Sequence, residues 1–298
     1  MRYSQMIRLG LVAFVMAALM PMAASAQTME RIQSTGTLNV GFVPDEAPFS
    51  SAPGTGYSIE LCEKVAEKLR GMPELSELKV QKTSTSLEAG LRMVEQGQID
   101  ILCGAATDNL ERRARVSFSI PIYNGGIGVV LREDAPSDLT RVLEGKVAHE
   151  GPIWRSTINR GLAQHTYAVH EGTVTEDWVR EQIATLGVVA TIVKVKEHSD
   201  GVDLVAQGKS DAYFGDRAIL AAIVSEHGDS DDLMLLDRYF TYEPLALVMA
   251  RNNDDFRLVV DTTLSELYRS DDFAALYEQH FGEPGELTLR MFKIYARR

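Results

Sequence analysis

Four polar residues of this sequence have the chemistry to hold a small molecule with one carboxylate and one ammonium group. Arg112 can grip a carboxylate through two parallel, charge-assisted hydrogen bonds, which a lysine cannot reproduce. Thr107 lies five positions earlier, just ahead of a predicted helical turn, where a hydroxyl and backbone N–H groups favour an anion. Thr173 offers the same at the start of a later helix, and Asp216, which follows a predicted strand, suits an ammonium group. Both ligand charges must be satisfied wherever water is excluded.

Each of these residues also has an ordinary structural interpretation. Arg112 and Arg113 can form a solvated helix face, and Asp216 can cap the helix that follows it. Thr107 and Thr173 are equally good helix caps. Local sequence alone leaves both interpretations open.

The elements that must position these residues alternate between strand and helix. Apolar residues recur at helical spacing from Tyr57 to Leu69, behind a strand at 38–43, and Thr85 with Glu88 predicts a capping box that opens the next helix. The other predicted elements are strands at 99–103, 116–118, 167–169, 188–195, 211–214, 233–236 and 245–249, a polar turn at 105–113, and helices at 175–186, 200–207, 217–226, 255–270 and 271–280. This alternation predicts parallel sheets covered by helices, an α/β fold.

Ligands in such folds bind beyond the carboxyl ends of the strands. The loops that follow Val43, Cys103, Val169 and Phe214 are therefore the predicted location of a site. Thr107 and Asp216 lie in two of these loops.

Composition narrows the classes of function. The 298 residues include 30 Lys+Arg and 42 Asp+Glu, a formal net charge of −12, and no basic cluster, which argues against nucleic-acid binding. The sequence lacks a Gly-x-Ser-x-Gly elbow, a Walker loop and a His-Glu-x-x-His helix, and its six histidines show no metal-ligand spacing. We therefore expect no cofactor and no metal.

Residues 1–26 have the pattern of a secretory signal peptide. Arg2 and Arg8 form a basic start, residues 9–20 are apolar, and Ala24-Ser25-Ala26 supplies a small-residue cleavage site. The apolar run is about half of the ~20 residues that span a bilayer. The sequence predicts an exported, periplasmic protein.

Export changes what is expected of Cys62 and Cys103, the two cysteines of the chain. Two cysteines usually pair in an oxidising compartment, and we predict a disulfide between them. Two buried free thiols remain the alternative, whereas a zinc site lacks neighbouring histidines.

Several segments, taken in order along the chain, carry a family resemblance. They are Leu38-x-Val-Gly-Phe with Pro48-Phe49-Ser50, the run from Gly56 to Cys62, the block from Gly97 to Ser119 that contains Asp100, Gly104, Thr107, Glu111 and Arg112, then Gly172-Thr173, and Asp211-Ala212-Tyr213-x-x-Asp216. Together they resemble the family 3 periplasmic solute-binding proteins, the amino-acid receptors of bacterial ABC importers. The glutamate/aspartate-binding branch is the most similar.

The resemblance implies a two-lobed periplasmic binding protein (type II), in which each lobe is a mostly parallel sheet flanked by helices and the ligand cleft lies between the lobes. Residues 27–122 and 245–298 would form the first lobe and residues 123–244 the second. The hinges would lie near 122–126 and 240–244. The implied partners are an amino-acid ligand and an ABC permease, and the protein is expected to be a monomer.

The family places its carboxylate and ammonium ligands at Arg112, Thr107, Thr173 and Asp216. Arginines of the acidic-amino-acid branch would align with Val43 and Gly90, and hydroxyl residues of that branch with Leu87 and Ala105. Without those arginines a bound side-chain carboxylate would lack its cation. We therefore expect polar or basic ligands rather than glutamate or aspartate.

The remaining candidates follow from the same comparison of positions. Leu87 suits an apolar wall against the ligand side chain or an ordinary core position. Glu46 replaces an aromatic contact of many relatives and can meet a cationic or amide ligand, although a solvated loop glutamate is the simpler expectation. His198 matches a histidine of the acidic branch and can line the cleft.

An apparent insertion of roughly twenty residues lies between Leu139 and His165, and loops of such length are usually functional or mobile. Trp154 within it suits docking to a partner or packing on its own lobe. Two other functions remain open: a cyclohexadienyl dehydratase-like lyase with Glu46 or His198 as general acid, and a sensory or accessory binding protein.

Overall fold

A computed structural model describes residues 28–146 and 161–298 of the chain. The predicted signal peptide and the stretch that contains Trp154 lie outside the described residues. Within the described ranges no helix is both long and apolar enough to cross a membrane.

Helices and strands alternate along most of the chain. The helices are α1 (Thr28–Thr35), α2 (Tyr57–Arg70), α3 (Leu87–Glu95), α4 (Leu110–Arg113), α5 (Ser137–Leu143), α6 (Val174–Leu186), α7 (His198–Ala206), α8 (Arg217–Glu226), α9 (Asp254–Arg269), α10 (Asp272–Phe281) and α11 (Glu286–Tyr295). The strands are β1 (Thr37–Phe42), β2 (Asp45–Glu46), β3 (Ser50–Ser51), β4 (Lys79–Ser84), β5 (Ile101–Thr107), β6 (Val116–Phe118), β7 (Tyr123–Gly125), β8 (Ile127–Arg132), β9 (Thr166–His170), β10 (Thr191–Val195), β11 (Ala212–Asp216), β12 (Leu233–Leu235) and β13 (Glu243–Ala250). The predicted α/β class is confirmed.

The strands form two main sheets. The first has the order β4-β1-β5-β13-β6, with β7 also paired to β13, and the second has the order β10-β9-β11-β8-β12. A separate hairpin pairs β2 with β3. Apolar side chains fill both faces of each main sheet, as covered sheets require.

Each main sheet is mostly parallel, as expected, with one strand running against all the others. Strands β4, β1 and β5 run parallel, as do β10, β9 and β11. In contrast, β13 is antiparallel to β5, β6 and β7, and β8 is antiparallel to β11 and β12. The chain passes from the first sheet to the second between β7 and β8, and it returns between β12 and β13. The two reversed strands, β8 and β13, each follow one of these passages.

Those two passages lie side by side. Strand β7 pairs with the start of β13, with Gly125 opposite Glu243, and β8 begins two residues later in the second sheet. The backbone N–H of Ile127 donates to Thr241 Oγ1 at 3.0 Å, which joins the passages again. The lobe boundaries at 122 and 245 remain a prediction.

A disulfide joins Cys62 on α2 to Cys103 on β5, as the sequence predicts. The two Cα atoms are 6.5 Å apart and the residues are separated by 41 positions. The bond ties a buried helix to the centre of the first sheet.

Two local predictions need correction. The cap of α3 is Ser86, whose hydroxyl accepts from the Ala89 N–H, so the predicted Thr85–Glu88 capping box is wrong. Strand β5 also continues to Thr107, because Ala106 and Thr107 are buried beside β13, and the predicted polar turn is confined to the residues before α4.

Candidate functional site

Polar side chains converge where β5 and β11 end, beside the β2–β3 hairpin and the start of β13. Thr107 is the last residue of β5 and Asp216 the last residue of β11. Glu46 interacts electrostatically with Arg112 and Asp216, so the residues from the two sheets lie in one neighbourhood. This is the edge that the strand order predicts for a ligand.

Arg112 is half-buried in the short helix α4 and has no ion-pair partner among the described residues. Its Nη1 donates to the carbonyl oxygen of Thr107 at 3.2 Å. Burial lowers the pKa of Arg112, and the charges of Glu88, Glu46 and Glu243 oppose that shift. The guanidinium therefore keeps donors available for an anion.

Arg113, one position further on, is arranged differently. It is exposed, and its guanidinium forms a two-pronged ion pair with Asp108 while lying 5.9 Å from the ring centre of Phe118. The two adjacent arginines thus separate into one that is paired at the surface and one that is held within the polar cluster.

Thr107 reaches the cluster through its hydroxyl, which donates to Glu243 Oε2 at 3.1 Å. The other carboxylate oxygen of Glu243 accepts from Thr241 at 2.8 Å. Glu243 is therefore held in place at the first residue of β13, next to Arg112.

Asp216 caps helix α8 and also binds the backbone of the first passage between the sheets. Its Oδ1 accepts from the Ala218 N–H at 2.9 Å, and its Oδ2 accepts from the Gly126 N–H at 3.2 Å. A side chain at position 125 would clash, since a Cβ built on Gly125 would lie 2.4 Å from Asp216 Oδ2. Burial raises the pKa of Asp216 to about 6. The capping interpretation is correct, and it fixes the carboxylate in the cluster.

Glu46 is buried, with only 4% of its surface exposed, so the simpler expectation of a solvated loop glutamate is wrong. Its Oε2 accepts from the Ala105 N–H at 2.8 Å. A Cβ built on Gly104 would lie 2.6 Å from the same oxygen, so only glycine permits this approach. Burial raises the pKa of Glu46 to about 7, and the nearby Asp216 and Asp45 add to the rise, while Arg112 opposes it.

His198 lies inside the second sheet's helical layer rather than at an open wall. It is 5% exposed, stacks on His170 with ring centres 4.6 Å apart, and its Nδ1 lies 2.7 Å from the Tyr213 hydroxyl. Burial lowers the pKa of His198, so the ring is neutral, and its Nδ1 shares a hydrogen bond with the Tyr213 hydroxyl. Its contribution to the cluster is its backbone N–H, which donates to Asp45.

The three remaining candidates have structural partners. Thr173 caps α6: its hydroxyl accepts from the Glu176 N–H at 3.3 Å and donates to the His170 carbonyl at 2.8 Å. Leu87 is 7% exposed and packs in an apolar cluster that includes Val43, which fits an ordinary core position. Ala105 is half-buried, and its N–H is used by Glu46.

Sequence reasoning missed Asp45 and Glu243. Asp45 reaches the first residues of α7, and Glu243 reaches Thr107, although each lies more than 100 positions from its partner. The one available signal was their position, since Asp45 follows the first strand and Glu243 lies in a predicted hinge.

Taken together, the cluster has one half-buried cation and an excess of carboxylates. Such a set can hold a carboxylate at Arg112 and positive groups at the acidic side chains. In the described ranges no three His, Cys, Asp or Glu residues are grouped to hold a metal ion.

A separate cavity of about 410 Å³ lies in the second sheet's layer. Its lining is mainly apolar and includes Trp178, Phe214 and Phe240. It lacks the polar residues of the cluster, so it is not the site described above.

A family model and two similar known proteins all point to bacterial solute-binding proteins. The family described as bacterial extracellular solute-binding proteins, family 3, matches residues 38–283. The L-glutamate/L-aspartate-binding protein of Pseudomonas aeruginosa is 26% identical over 262 residues, covering 86% of this chain and 80% of that protein. The glutamate/aspartate import solute-binding protein of Salmonella typhimurium is 21% identical over 265 residues, covering 88% of this chain and 82% of that protein.

Among solved structures, a mutant of ArgBP from T. maritima superimposes with a TM-score of 0.69 and 21% identity. The match covers 86% of this chain and 100% of that one. At this identity the likeness concerns the fold.

Proposed function

Because this chain belongs to family 3 of the bacterial extracellular solute-binding proteins, we propose that it captures a free amino acid and delivers it to an ABC importer. The two curated relatives described above are a binding protein and an import protein for amino acids. The resemblance carried by the block from Gly97 to Ser119 leads to the same function.

The observation that carries this proposal is that the site holds Arg112 half-buried and without an ion-pair partner among the described residues. A half-buried guanidinium without an ion-pair partner among the described residues is ready for a carboxylate, whereas its neighbour Arg113 is already paired. In this function Arg112 binds the α-carboxylate, assisted by Thr107 and the N-terminal turn at Thr173. Asp216 binds the α-ammonium group.

In the proposed function two lobes hold the ligand between them. Residues 27–122 with 245–298 and residues 123–244 would close over the ligand, bending where β7 and β13 lie side by side. The protein would act as a monomer in the periplasm, after removal of residues 1–26. A mature protein that starts at Gln27 when recovered from the periplasm of an expressing bacterium would support this; an uncleaved chain would contradict it.

A thermal-shift screen of the exported protein against the common amino acids tests the function. A ligand at 100 times its Kd adds about 2.7 kcal/mol to the free energy of unfolding, so binding raises the melting temperature clearly. A shift with one amino acid or a small chemical group of them is the expected result. The absence of a shift with every amino acid would contradict the proposal.

One observation favours a second candidate, a lyase of the cyclohexadienyl dehydratase type. Glu46 is buried with a pKa of about 7, the range in which a carboxyl group can act as a general acid. His198 suits that role less, because burial lowers its pKa and keeps the ring out of its acidic imidazolium form. Turnover of prephenate or arogenate by the purified protein, lost in Glu46→Gln, would favour the lyase over the receptor.

A further inference from the structure

We propose that the cleft selects amino acids with a positively charged side chain, and that Glu46 is the residue that pairs with that charge. This inference rests on the proposed function, since it assigns the ligand class of the same site. It concerns specificity, which neither the fold nor the family decides.

Glu46 is a carboxylate that the protein buries without a cation. Within the described ranges, the cation whose charge acts on it is Arg112, which forms no ion pair with it, and Glu46 Oε1 has no hydrogen-bond donor. An ionised carboxylate removed from water is costly unless a cation or several donors accompany it. A positive group of the ligand would supply the missing partner.

The neighbouring carboxylates increase this requirement. Asp45, Asp216 and Glu243 lie around Glu46 and Arg112, so four acidic side chains face this cation in addition to Glu88, which is paired with Arg92 and Arg115. None of the four forms an ion pair with a lysine, arginine or histidine among the described residues. A zwitterion leaves this negative excess unchanged, a second ligand carboxylate would increase it, and a basic side chain would reduce it.

The carboxylates also divide by how many of their oxygens are already used. Asp216 and Glu243 each accept hydrogen bonds at both oxygens. Asp45 and Glu46 each accept at one oxygen only; that of Asp45 faces the start of α7, and Glu46 is the more buried of the two. With Asp216 at the second sheet assigned to the α-ammonium group, Glu46 on the opposite hairpin is left for the side chain.

The protein provides no cation for an acidic ligand at the two positions where the family resemblance places arginines. Val43 is buried in an apolar cluster, and a Cβ built on Gly90 would already lie 2.8 Å from a methyl group of Leu102. A ligand carboxylate directed to either position would meet apolar groups. The surroundings of Glu46 therefore favour a ligand whose side chain is positively charged.

Calorimetry with matched ligands tests this inference on the exported protein. L-Arginine and L-citrulline have the same length and shape, but citrulline replaces the charged guanidinium with a neutral urea group. We expect arginine or lysine to bind at least about 30-fold more tightly than citrulline and glutamine, the loss typical of an unpaired buried charge. Tighter binding of glutamate, glutamine or citrulline would overturn the inference and leave the proposed function intact, whereas no binding of any amino acid would overturn both.

Two substitutions test the role of Glu46 itself. Glu46→Gln keeps the acceptor for the Ala105 N–H, so it should reduce arginine affinity by about 30-fold or more and change citrulline affinity by less than about 3-fold. Glu243→Gln removes one charge from the same cluster without removing the proposed pairing contact, so it should lower the arginine-to-citrulline ratio by much less than Glu46→Gln does. An unchanged arginine-to-citrulline ratio in Glu46→Gln, or the same collapse of that ratio in Glu243→Gln, would contradict a specific pairing at Glu46. If Glu46→Gln fails to fold, the comparison of ligands on the unmodified protein still decides the ligand class.

Discussion

The carboxylate of Asp45 accepts a hydrogen bond from the backbone N–H of His198, the first residue of α7, across the gap between the β2–β3 hairpin and the second sheet's helices. The same oxygen accepts from the Ser199 N–H at 3.3 Å. The residue at the cap position of α7, Glu197, makes no side-chain capping bond of its own. Asp45 therefore caps α7 from another element, and in the proposed function this contact would form only when the two lobes are closed.

The first prediction concerns this contact. Asp45→Ala should weaken ligand binding by about 2- to 30-fold, because a lost helix cap costs about 0.5–2 kcal/mol and the loss falls on the closed form alone. Calorimetry gives the affinity, and small-angle scattering of the ligand-free protein should show a larger radius of gyration.

Asp261→Ala is the matched control for Asp45→Ala. Asp261 also accepts a backbone N–H, that of Ile120 at 2.8 Å, but both residues belong to the layer of the first sheet. This variant should lower the free energy of unfolding and leave affinity and radius of gyration unchanged. Equal affinity losses in the two variants would show that Asp45 acts through general stability instead of closure.

The second prediction concerns Arg112. Arg112→Ala should lose roughly 2–5 kcal/mol of binding free energy, about 30-fold to several thousandfold in Kd, because the ligand carboxylate is left unpaired in a closed cleft. Folding should change little, since the side chain makes a single hydrogen bond within the described chain. Calorimetry with the best ligand of the thermal-shift screen measures the loss.

Arg113→Ala serves as the control for that variant. It removes an exposed ion pair with Asp108, which is worth little in water, so binding should remain almost normal. Near-normal affinity in Arg112→Ala would remove the main support for the site. An equal loss in both variants would indicate a general effect of charge.

Local signals allowed part of this structure to be predicted. Helical spacing from Tyr57 to Leu69 identified α2, since the apolar stripe that packs on the sheet is visible in the sequence. The export signal predicted the pairing of Cys62 and Cys103. Where two adjacent residues could both serve, as at Thr85 and Ser86, the pattern did not decide which one caps the helix.

The parts that sequence did not predict depend on distant contacts. Glu46 is polar and follows a strand, so a solvated loop was the natural expectation, but Gly104 of another strand makes room for its carboxylate. Asp45 and Glu243 have no local motif, and their roles arise from partners on other elements. For Asp216, the local prediction of a cap and the prediction of a cleft residue turned out to be compatible, because one carboxylate oxygen caps α8 and the other meets Gly126.

The third prediction concerns the disulfide. Replacing Cys62 and Cys103 by serine should reduce the free energy of unfolding by about 4 kcal/mol, the loop-closure value for a separation of 41 residues. Urea denaturation measures the change, and thiol titration of the unreduced, denatured protein should find no reactive thiol. Two reactive thiols, or equal stability of the two proteins, would contradict the prediction.

The last prediction concerns the pH dependence of the ligand-free protein. Burial raises the pKa of Glu46 from 4.5 to about 7, so the folded protein binds this proton more tightly than the unfolded chain does. The contribution of protonated Glu46 to the free energy of unfolding is therefore complete below pH 4.5 and is lost as the pH rises through 7. The free energy of unfolding falls by about 3 kcal/mol over this range. Asp216, with its pKa raised to about 6, contributes with the same sign at lower pH.

Glu46→Gln separates this contribution from that of the other acids, because glutamine does not titrate. Urea denaturation of both proteins between pH 4 and pH 8 should show the unmodified protein losing stability relative to the variant as the pH rises. A ligand cation that pairs with Glu46 favours the ionised form, so the affinity for arginine should increase with pH up to about 7 and release a proton on binding. Parallel stability curves for the two proteins would show that Glu46 titrates normally and would remove the physical reason for a cation at this position.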